Sequence, residues 1–255
     1  MKPFVSKNWL QIGAFAVAML GFFATPFDPY AQAFLDKSFS GGEWPHLFGV
    51  DKLGRDALSR VWLGAANTLS YAFVASMGTL ALSGFLLWLE RGRSRVLSEG
   101  VRAVVSLGVG FPVVLLGLLL MVFMEREPET LIWAISIATV PLAFRQLRVL
   151  WIEQDKAVYT EASRAVGGSS WHVLRYSIWP NLRPQLLEIW KLVFAVAILE
   201  LSSLSFLGLG GDPRWAELGA ILADQRKSMN LQPMLVFWPG LVLSFLLWQT
   251  RLLRA

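Results

Sequence analysis

Six long apolar runs limit what this chain can fold into more than any other feature. They occupy residues 9–25, 65–89, 101–124, 130–151, 186–207 and 234–253. Each has about the 17 to 25 residues that an α-helix needs to cross the hydrocarbon core of a bilayer. Only 16% of the residues are charged, whereas soluble domains carry about a quarter. The sequence therefore predicts an all-α integral membrane protein with six transmembrane helices.

The first apolar run has a second interpretation, as a signal peptide. A small-x-small cleavage site is not evident after it, and no soluble domain follows. An uncleaved first helix is therefore the prediction. Six crossings place both termini on the same side of the membrane.

The distribution of positive charge predicts which side that is. If the N-terminus is inside, the inner segments 1–8, 90–102, 145–185 and 251–255 carry fourteen Lys and Arg against five acidic residues. The outer segments carry eight against eleven. Lys and Arg favour the cytoplasmic side, so both termini and residues 153–184 are predicted to be cytoplasmic. The crowded Arg91, Arg93, Arg95 and Arg102 anchor this topology and attract anionic lipid headgroups.

Residues 153–184 form the longest polar interval after the first third of the chain, and the pattern predicts two short helices. In residues 153–166, Val158, Ala162, Ala165 and Val166 recur at helical spacing and give that helix a smooth face. Gly167 suits the left-handed residue that ends a helix, and Ser169 or Ser170 can cap the next one. Pro180 is expected to end the second helix. The spacing alone is also compatible with an unspecified amphipathic loop.

This interval resembles the EAA loop of binding-protein-dependent ABC importer permeases. Glu161-Ala162-Ser163, then Gly167, then Ile178-Trp179-Pro180 carry the resemblance, with Ser163 in place of the usual second alanine and Trp179 in place of leucine. In that family the loop is a cytoplasmic coupling helix held in a cleft of the ATP-binding subunit. The resemblance implies these coupling residues: Glu161, Ala162, Ser163, Gly167 and Pro180.

The predicted outer loop, residues 26–62, resembles one subfamily more specifically, the C-type permease subunit of dipeptide, oligopeptide and nickel importers. Its Gly-x-Asp-x-x-Gly-Arg-Asp-x-x-Ser-Arg pattern comprises Gly49, Asp51, Gly54, Arg55, Asp56, Ser59 and Arg60. The glycines permit turns, and the charged residues are spaced to form an ion-paired short helix at the outer surface. A solvated charged loop is the plainer alternative. The Leu-Ser-Phe-Leu-Gly-Leu-Gly run at 204–210 is a further match to the subfamily.

Pro112, Pro141 and Pro239 interrupt the third, fourth and sixth apolar runs, and each frees a backbone carbonyl inside the membrane. Neighbouring helices or water must compensate, which favours a bundle with a cavity over an isolated anchor. Glu200 lies in the fifth run, about 13 Å along the axis from Lys191. It either lines a translocation path or makes a structural hydrogen bond to a neighbouring helix.

Several classes of site are missing from the sequence. It contains no P-loop, G-x-S-x-G or H-E-x-x-H pattern and no cysteine. His46 and His172 are predicted on opposite sides, so they cannot share a metal or a catalytic centre. Basic and aromatic residues do not interleave as in nucleic-acid binding. We therefore expect no catalytic residue, no metal and no nucleic-acid partner.

The resemblance implies a permease of the type I ABC importer kind in the bacterial inner membrane. It divides the chain into residues 1–62, the first helix and outer loop, and residues 63–255, a five-helix core containing the coupling loop. It also implies a second homologous permease, two ATP-binding subunits that carry ATP and Mg, and an extracytoplasmic solute-binding protein. The alternatives are a stand-alone secondary transporter or channel and a purely structural subunit. The sequence leaves the solute open among dipeptides, oligopeptides, nickel and others.

Overall fold

The computed structural model describes residues 25–92, 94–123, 127–210 and 215–252, and every regular element in these ranges is helical. The helices are α1 Ala57–Glu90, α2 Arg95–Val109, α3 Val113–Val122, α4 Pro128–Ala138, α5 Val140–Asp155, α6 Val158–Ala165, α7 Ser170–His172, α8 Trp179–Phe206, α9 Leu218–Gln225 and α10 Met234–Leu252. A π-helical segment, Val173–Ile178, joins α7 to α8, and 3-10 turns lie at Leu35–Lys37 and Arg226–Ser228. The predicted first transmembrane helix lies outside the described residues.

Helix α1 is the central element of the bundle. It runs parallel to α4 and α5, because successive hydroxyl groups of α1 contact successive residues at the junction of these two helices. Thr79 Oγ1 lies 2.6 Å from Thr139 Oγ1, and Ser83 Oγ donates to the backbone oxygen of Val140 at 3.4 Å. Helix α8 runs antiparallel to α1, and Trp190 Nε1 donates to Ser76 Oγ at 3.1 Å. The main apolar core lies between these helices and includes Leu69, Leu131, Ile135, Ile198 and Leu201.

Two described helices are long and apolar enough to cross a membrane: α1, and the continuous segment Ser170–Phe206. Two further crossings result if α2 with α3, and α4 with α5, each form one broken span. The apolar segment Met234–Thr250 of α10 is shorter. This architecture confirms an all-helical membrane fold, and the count of six crossings stays a prediction.

The prolines differ in what they do to the helices. The chain bends by 104° between α2 and α3, where Gly110 ends one helix and Pro112 precedes the next. The bend between α4 and α5 is 41°, beside Pro141. Pro239, in contrast, lies inside α10, and the helix continues through it. The predicted interruption at Pro239 is therefore wrong.

Residues 153–184 also depart from the prediction in two places. The helix predicted over 153–166 is divided, because α5 continues to Asp155 and α6 begins at Val158 after an extended Ala157. Pro180 does not end the second helix, so that prediction is wrong. Pro180 lies in the first turn of α8, directly after the π-helical turn, and that wider turn accommodates the proline within a continuing helix. The result is one helical segment from Ser170 to Phe206.

Candidate functional site

Helix α6 is an exposed part of the segment that resembles the EAA loop. Val158 is 82% exposed and Val166, just beyond the helix, is 86% exposed. Ala162 and Ala165 between them are also exposed. The smooth face predicted from the sequence thus lies at the surface and can be approached closely by another protein. We call the end of the bundle that carries residues 157–169 the EAA end, and the opposite end, where residues 26–56 pack, the loop end.

Hydrogen bonds to the end of α5 hold α6 in place. Thr160 is fully buried, and its Oγ1 donates to the backbone oxygen of Gln154 at 2.8 Å. The Tyr159 hydroxyl donates to the Gln154 side chain. Arg164 Nη1 donates to Asp155 O at 3.2 Å and the same guanidinium pairs with the Asp155 carboxylate. The orientation of α6 therefore follows the end of α5.

A tight turn connects α6 to the next helix. Gly167 has a φ of +85°, the left-handed conformation that the sequence predicts. Gly168 N donates to Ser163 O at 3.0 Å, and a Cβ on Gly168 would lie 2.6 Å from that oxygen. Ser169 Oγ then accepts from His172 N at 3.2 Å, which confirms the predicted cap.

An apolar cluster lies at the EAA end beside these elements. Leu150 from α5, Val173 and Ile178 from the π-helical segment, and Leu182 from α8 are all buried there. The cluster joins the end of α5 to the start of the long segment Ser170–Phe206. The end of α5, which holds α6, is thus packed against a helical segment that extends across the bundle.

The structure brings together most of the residues that the EAA resemblance singles out. Glu161 and Ala162 are exposed on α6, Ser163 is half-buried against the turn, and Gly167 ends the motif. Pro180 lies apart from them, in the first turn of α8. Thr160 and Gln154, which anchor the helix, were missed from the sequence, because a single threonine in a polar stretch gives no signal of burial.

At the loop end, the Gly-Arg-Asp pattern forms a buried network, and the predicted short helix at the outer surface is wrong. Asp51, Arg55 and Asp56 are at most 2% exposed and precede α1, which begins at Ala57. Asp51 Oδ1 accepts from the backbone N–H groups of Leu53 and Arg55, so the segment forms a tight turn.

The ion pairs of this turn connect distant parts of the chain. Arg55 Nε donates to Asp51 Oδ2 at 2.6 Å, and its Nη2 donates to Asp224 Oδ2 at 2.7 Å. Lys52 Nζ lies 2.6 Å from Asp224 Oδ1. Burial raises the pKa of Asp224, but the hydrogen bonds and charges of Lys52 and Arg55 outweigh it and hold that pKa below its usual value. The buried Arg60 lies at the edge of the network, with Nε 3.9 Å from Asp51 Oδ2.

A second group of hydrogen bonds continues the network into α1. His46 Nδ1 lies 2.9 Å from Asp56 Oδ1, while Asp56 Oδ2 accepts from both the backbone N–H and the hydroxyl of Ser59. This carboxylate caps α1 and holds the loop against it. His46 was missed as the partner of Asp56, and Asp224 as the partner of Arg55. The members of these pairs are separated by 10 and 169 positions in the sequence, and such separations give no local signal.

The two glycines of the pattern make the turn possible. Gly49 has a φ of +83° and Gly54 a φ of +71°. A Cβ would lie 2.4 Å from Ser40 O at the first position and 2.6 Å from Leu35 N at the second. Only glycine fits both positions.

Glu217 forms a further polar junction that sequence reasoning missed. Its Oε1 accepts from Thr68 Oγ1 at 3.0 Å and from Ser202 Oγ at 3.1 Å, and its Oε2 caps α9 through Ala220 N. One buried carboxylate thus ties α1, α8 and α9 together near the loop end.

Glu200 is 8% exposed, and its Oε2 has no hydrogen-bond partner within the described residues. A structural hydrogen bond at this oxygen, one of the two alternatives for Glu200, is therefore not found in that part of the chain. Across the described ranges, no group of three or more His, Cys, Asp or Glu side chains could hold a metal ion.

Comparison with known proteins places this architecture among transporter subunits. Residues 81–252 match the family described as binding-protein-dependent transport system inner membrane component. The chain is 28% identical to the dipeptide transport system permease protein DppC of Alkalihalophilus pseudofirmus, over 83% of this chain and 69% of that protein. It is 28% identical to the peptide transport system permease protein SapC of Escherichia coli, over 89% and 80%. It is 26% identical to the glutathione transport system permease protein GsiD of Pectobacterium atrosepticum, over 89% and 76%.

The fold is also similar to that of solved ABC transporters. One is the methionine ABC transporter MetNI in an inward-facing conformation, with a TM-score of 0.61 at 18% identity over 75% of this chain and 91% of that chain. Another is an amino acid ABC transporter with histidines, with a TM-score of 0.62 at 19% identity over 76% and 90%. At these identities the likeness concerns the fold.

Proposed function

Since the chain belongs to the family of binding-protein-dependent transport system inner membrane components, we propose that it is the permease subunit of an ATP-driven importer for peptides or a related small solute. The relatives named for dipeptide, peptide and glutathione transport support this solute class. The chain works by alternating access, in which the helix bundle changes between inward-facing and outward-facing states.

The observation that carries the proposal is the position of α6. It projects from the bundle with Val158 and Val166 exposed, is held to the end of α5 by Thr160, and is followed through Gly167 by one helical segment from Ser170 to Phe206. Force applied to α6 would therefore move α5 and α8 together as rigid levers. Glu161 supplies polar contacts to the partner, and Ala162 and Ser163 permit a close fit.

The partners and cofactors follow from this role. Two ATP-binding subunits carry ATP and Mg, and their closure on ATP displaces α6. A second, homologous permease completes the pathway, and an extracytoplasmic solute-binding protein delivers solute to the loop end. The chain itself hydrolyses no ATP. The EAA end and both termini face the cytoplasm of a bacterial cell, with the bundle in the inner membrane, as the positive charges predict.

Glu200 is the residue we assign to the translocation path. It is a buried carboxylate within α8, and its Oε2 lacks a hydrogen-bond partner among the described residues. An ionisable group inside a membrane bundle usually faces a cavity, a partner or the path. In the reconstituted importer, Glu200→Gln should lower solute uptake more than it lowers folding yield. Normal uptake by this variant would remove Glu200 from the path.

The decisive experiment compares two glycines in the same conformation at opposite ends of the bundle. Gly167 has a φ of +85° and Gly208 a φ of +87°, and a Cβ added to either would meet no atom within 4 Å. Gly167→Val and Gly208→Val therefore impose similar backbone strain. In proteoliposomes containing the whole complex, Gly167→Val should retain ATP hydrolysis but lose most solute uptake. Gly208→Val should leave the ratio of solute uptake to ATP hydrolysis unchanged.

Equal coupling in both variants would contradict the role of α6. The stand-alone alternative is tested separately, by reconstituting this chain without any ATPase. Solute uptake by the isolated chain would favour a secondary transporter or channel over a permease subunit.

A further inference from the structure

A pocket of about 380 Å³ lies between α2 and α5 toward the EAA end. Its lining combines polar and apolar side chains. Its lining includes Arg102, Ser106 and Val109 from α2 and Phe144, Arg145 and Arg148 from α5. Three arginines thus meet beside apolar side chains in a region predicted to lie at the membrane surface.

The pocket carries an excess of positive charge. Arg102 and Arg148 both donate through Nε to the same oxygen, Oε1 of Glu90, at 2.6 and 2.8 Å. Their terminal Nη atoms make no hydrogen bond with the described residues, and Arg145 makes no ion pair with them. Three cations against one carboxylate leave a formal charge of +2. Guanidinium groups with free Nη atoms bind phosphate oxygens well.

An apolar groove of about 590 Å³ adjoins this pocket, and Val105 lines both. Its walls come from α1, α2, α3, the end of α4 and the start of α5, and include Phe85, Leu107, Phe111 and Leu119, each more than half exposed. The 104° bend between α2 and α3 creates the groove, because α3 turns away from the axis of α2. Arg102 and Phe111 are nine residues apart, so the cationic and apolar parts follow each other over roughly 13 Å.

We propose that the pocket and the groove together bind one anionic phospholipid from the leaflet at the EAA end. Its phosphate lies on Arg145 and the free Nη atoms of Arg102 and Arg148, and an acyl chain lies along Leu107 and Leu119. Charge and shape select this occupant, because a phospholipid joins an anion to an apolar chain in one molecule. A partner helix would have to supply acidic side chains to the pocket to neutralise the same charge.

The proposed lipid would connect α2 and α3 to α5, the helix whose end holds α6. Binding itself does not depend on the transport function. In the working importer, however, bound lipid would stabilise the position of α5 and make coupling sensitive to anionic lipid.

The test measures lipid retention on the purified transporter complex by native mass spectrometry. The probes are phosphatidylglycerol and phosphatidylcholine with identical acyl chains. We expect the wild type to retain phosphatidylglycerol in preference, and Arg145→Gln to reduce that preference about fivefold, the effect of one arginine near the surface. Arg95→Gln is the matched control, since Arg95 also lies on α2 but is exposed and pairs with Glu99 outside the pocket. It should retain phosphatidylglycerol like the wild type.

A second variant tests the groove without changing charge. Leu107→Trp places a larger side chain in the groove and should reduce phosphatidylglycerol retention, although all three arginines remain. Because Leu107 and Arg145 are exposed at the surface of the described chain, neither substitution should prevent folding. Equal retention of the two lipids by the wild type, or unchanged retention in both variants, overturns the proposal.

Protein occupancy is distinguished by cross-linking. The chain has no cysteine, so Val104→Cys and Leu119→Cys can be introduced singly into a native background. Efficient cross-links from both positions to another subunit, together with no retained phosphatidylglycerol, would assign the groove to a protein partner and overturn the lipid site. Retained lipid with no such cross-links supports it.

Discussion

The two ends of the bundle use similar polar residues in opposite ways. At the loop end, Asp51, Arg55 and Asp56 are almost completely buried, and their charges are satisfied within the chain. At the EAA end, Glu161 and Ala162 are exposed, and α6 is held mainly through Thr160 and Arg164. A motif therefore says little about its role until its burial is known. The buried motif builds the fold, whereas the exposed one is available to a partner.

The difference also concerns mechanics. The loop end joins the segment before α1 to α9 through Arg55 and Asp224, and a buried ion pair resists separation. The EAA end carries a short helix, α6, most of whose residues are exposed. We expect the loop end to move as part of the rigid bundle and α6 to respond to forces from outside.

The largest expected effect comes from Arg55→Ala. Removal of this guanidinium leaves Asp51 as a buried carboxylate without its main partner and should cost about 3–5 kcal/mol of folding free energy. Arg164→Ala is the comparison at the EAA end, where the pair with Asp155 is half exposed and should cost about 0–1 kcal/mol. Thermal unfolding of the detergent-purified complex measures both. Similar midpoints for the two variants would break the distinction between the two ends.

Gly49→Ala and Gly167→Ala should separate stability from coupling. Both positions are left-handed, which costs a non-glycine residue about 1–2 kcal/mol. At Gly49 the added Cβ also meets Ser40 O at 2.4 Å, whereas at Gly167 it meets nothing within 4 Å. Gly49→Ala should therefore lower the unfolding midpoint more. Gly167→Ala should instead raise the number of ATP molecules hydrolysed per solute imported.

Thr160→Val should loosen α6 without unfolding the bundle. The substitution keeps the shape of the side chain but removes the hydrogen bond to Gln154 O, a loss of about 1–2 kcal/mol restricted to this helix. Amide hydrogen exchange within Val158–Ala165 should become faster, while exchange in α1 stays unchanged. Thr160→Ser retains the hydroxyl and should restore slow exchange. Faster exchange throughout the chain would show that Thr160 supports more than α6.

The smallest effect concerns acid stability at the loop end. Because Lys52 and Arg55 hold the pKa of Asp224 below its usual value, the folded state binds a proton less readily there than the unfolded state. The resulting stability is complete above the pKa of Asp224 in the unfolded state, about 3.9. It is lost as the pH falls through the lower pKa of the folded state. Asp224→Asn should be less stable than the wild type at neutral pH and less sensitive to acid. If Asp224→Asn and the wild type lost stability equally as the pH is lowered, this linkage would be contradicted.

Local chemistry was predictable where it depends on nearby residues. The left-handed Gly167, the Ser169 cap and the breaks beside Pro112 and Pro141 all follow from backbone sterics within a few residues. The course of the chain through Pro180 and Pro239 was not predictable in this way. A π-helical turn at one proline, and uninterrupted helix around the other, depend on packing with neighbouring helices.

The sequence by itself determined the membrane class, the approximate helix positions and the segment that resembles a coupling loop, because hydrophobic length and residue spacing act locally. Only the tertiary structure decided that the Gly-Arg-Asp segment is buried, that Asp224 receives Arg55, and that Glu217 joins three helices. These outcomes depend on residues more than a hundred positions apart. Their contact energies arise only after the helices pack, so no pattern of neighbouring residues could predict them.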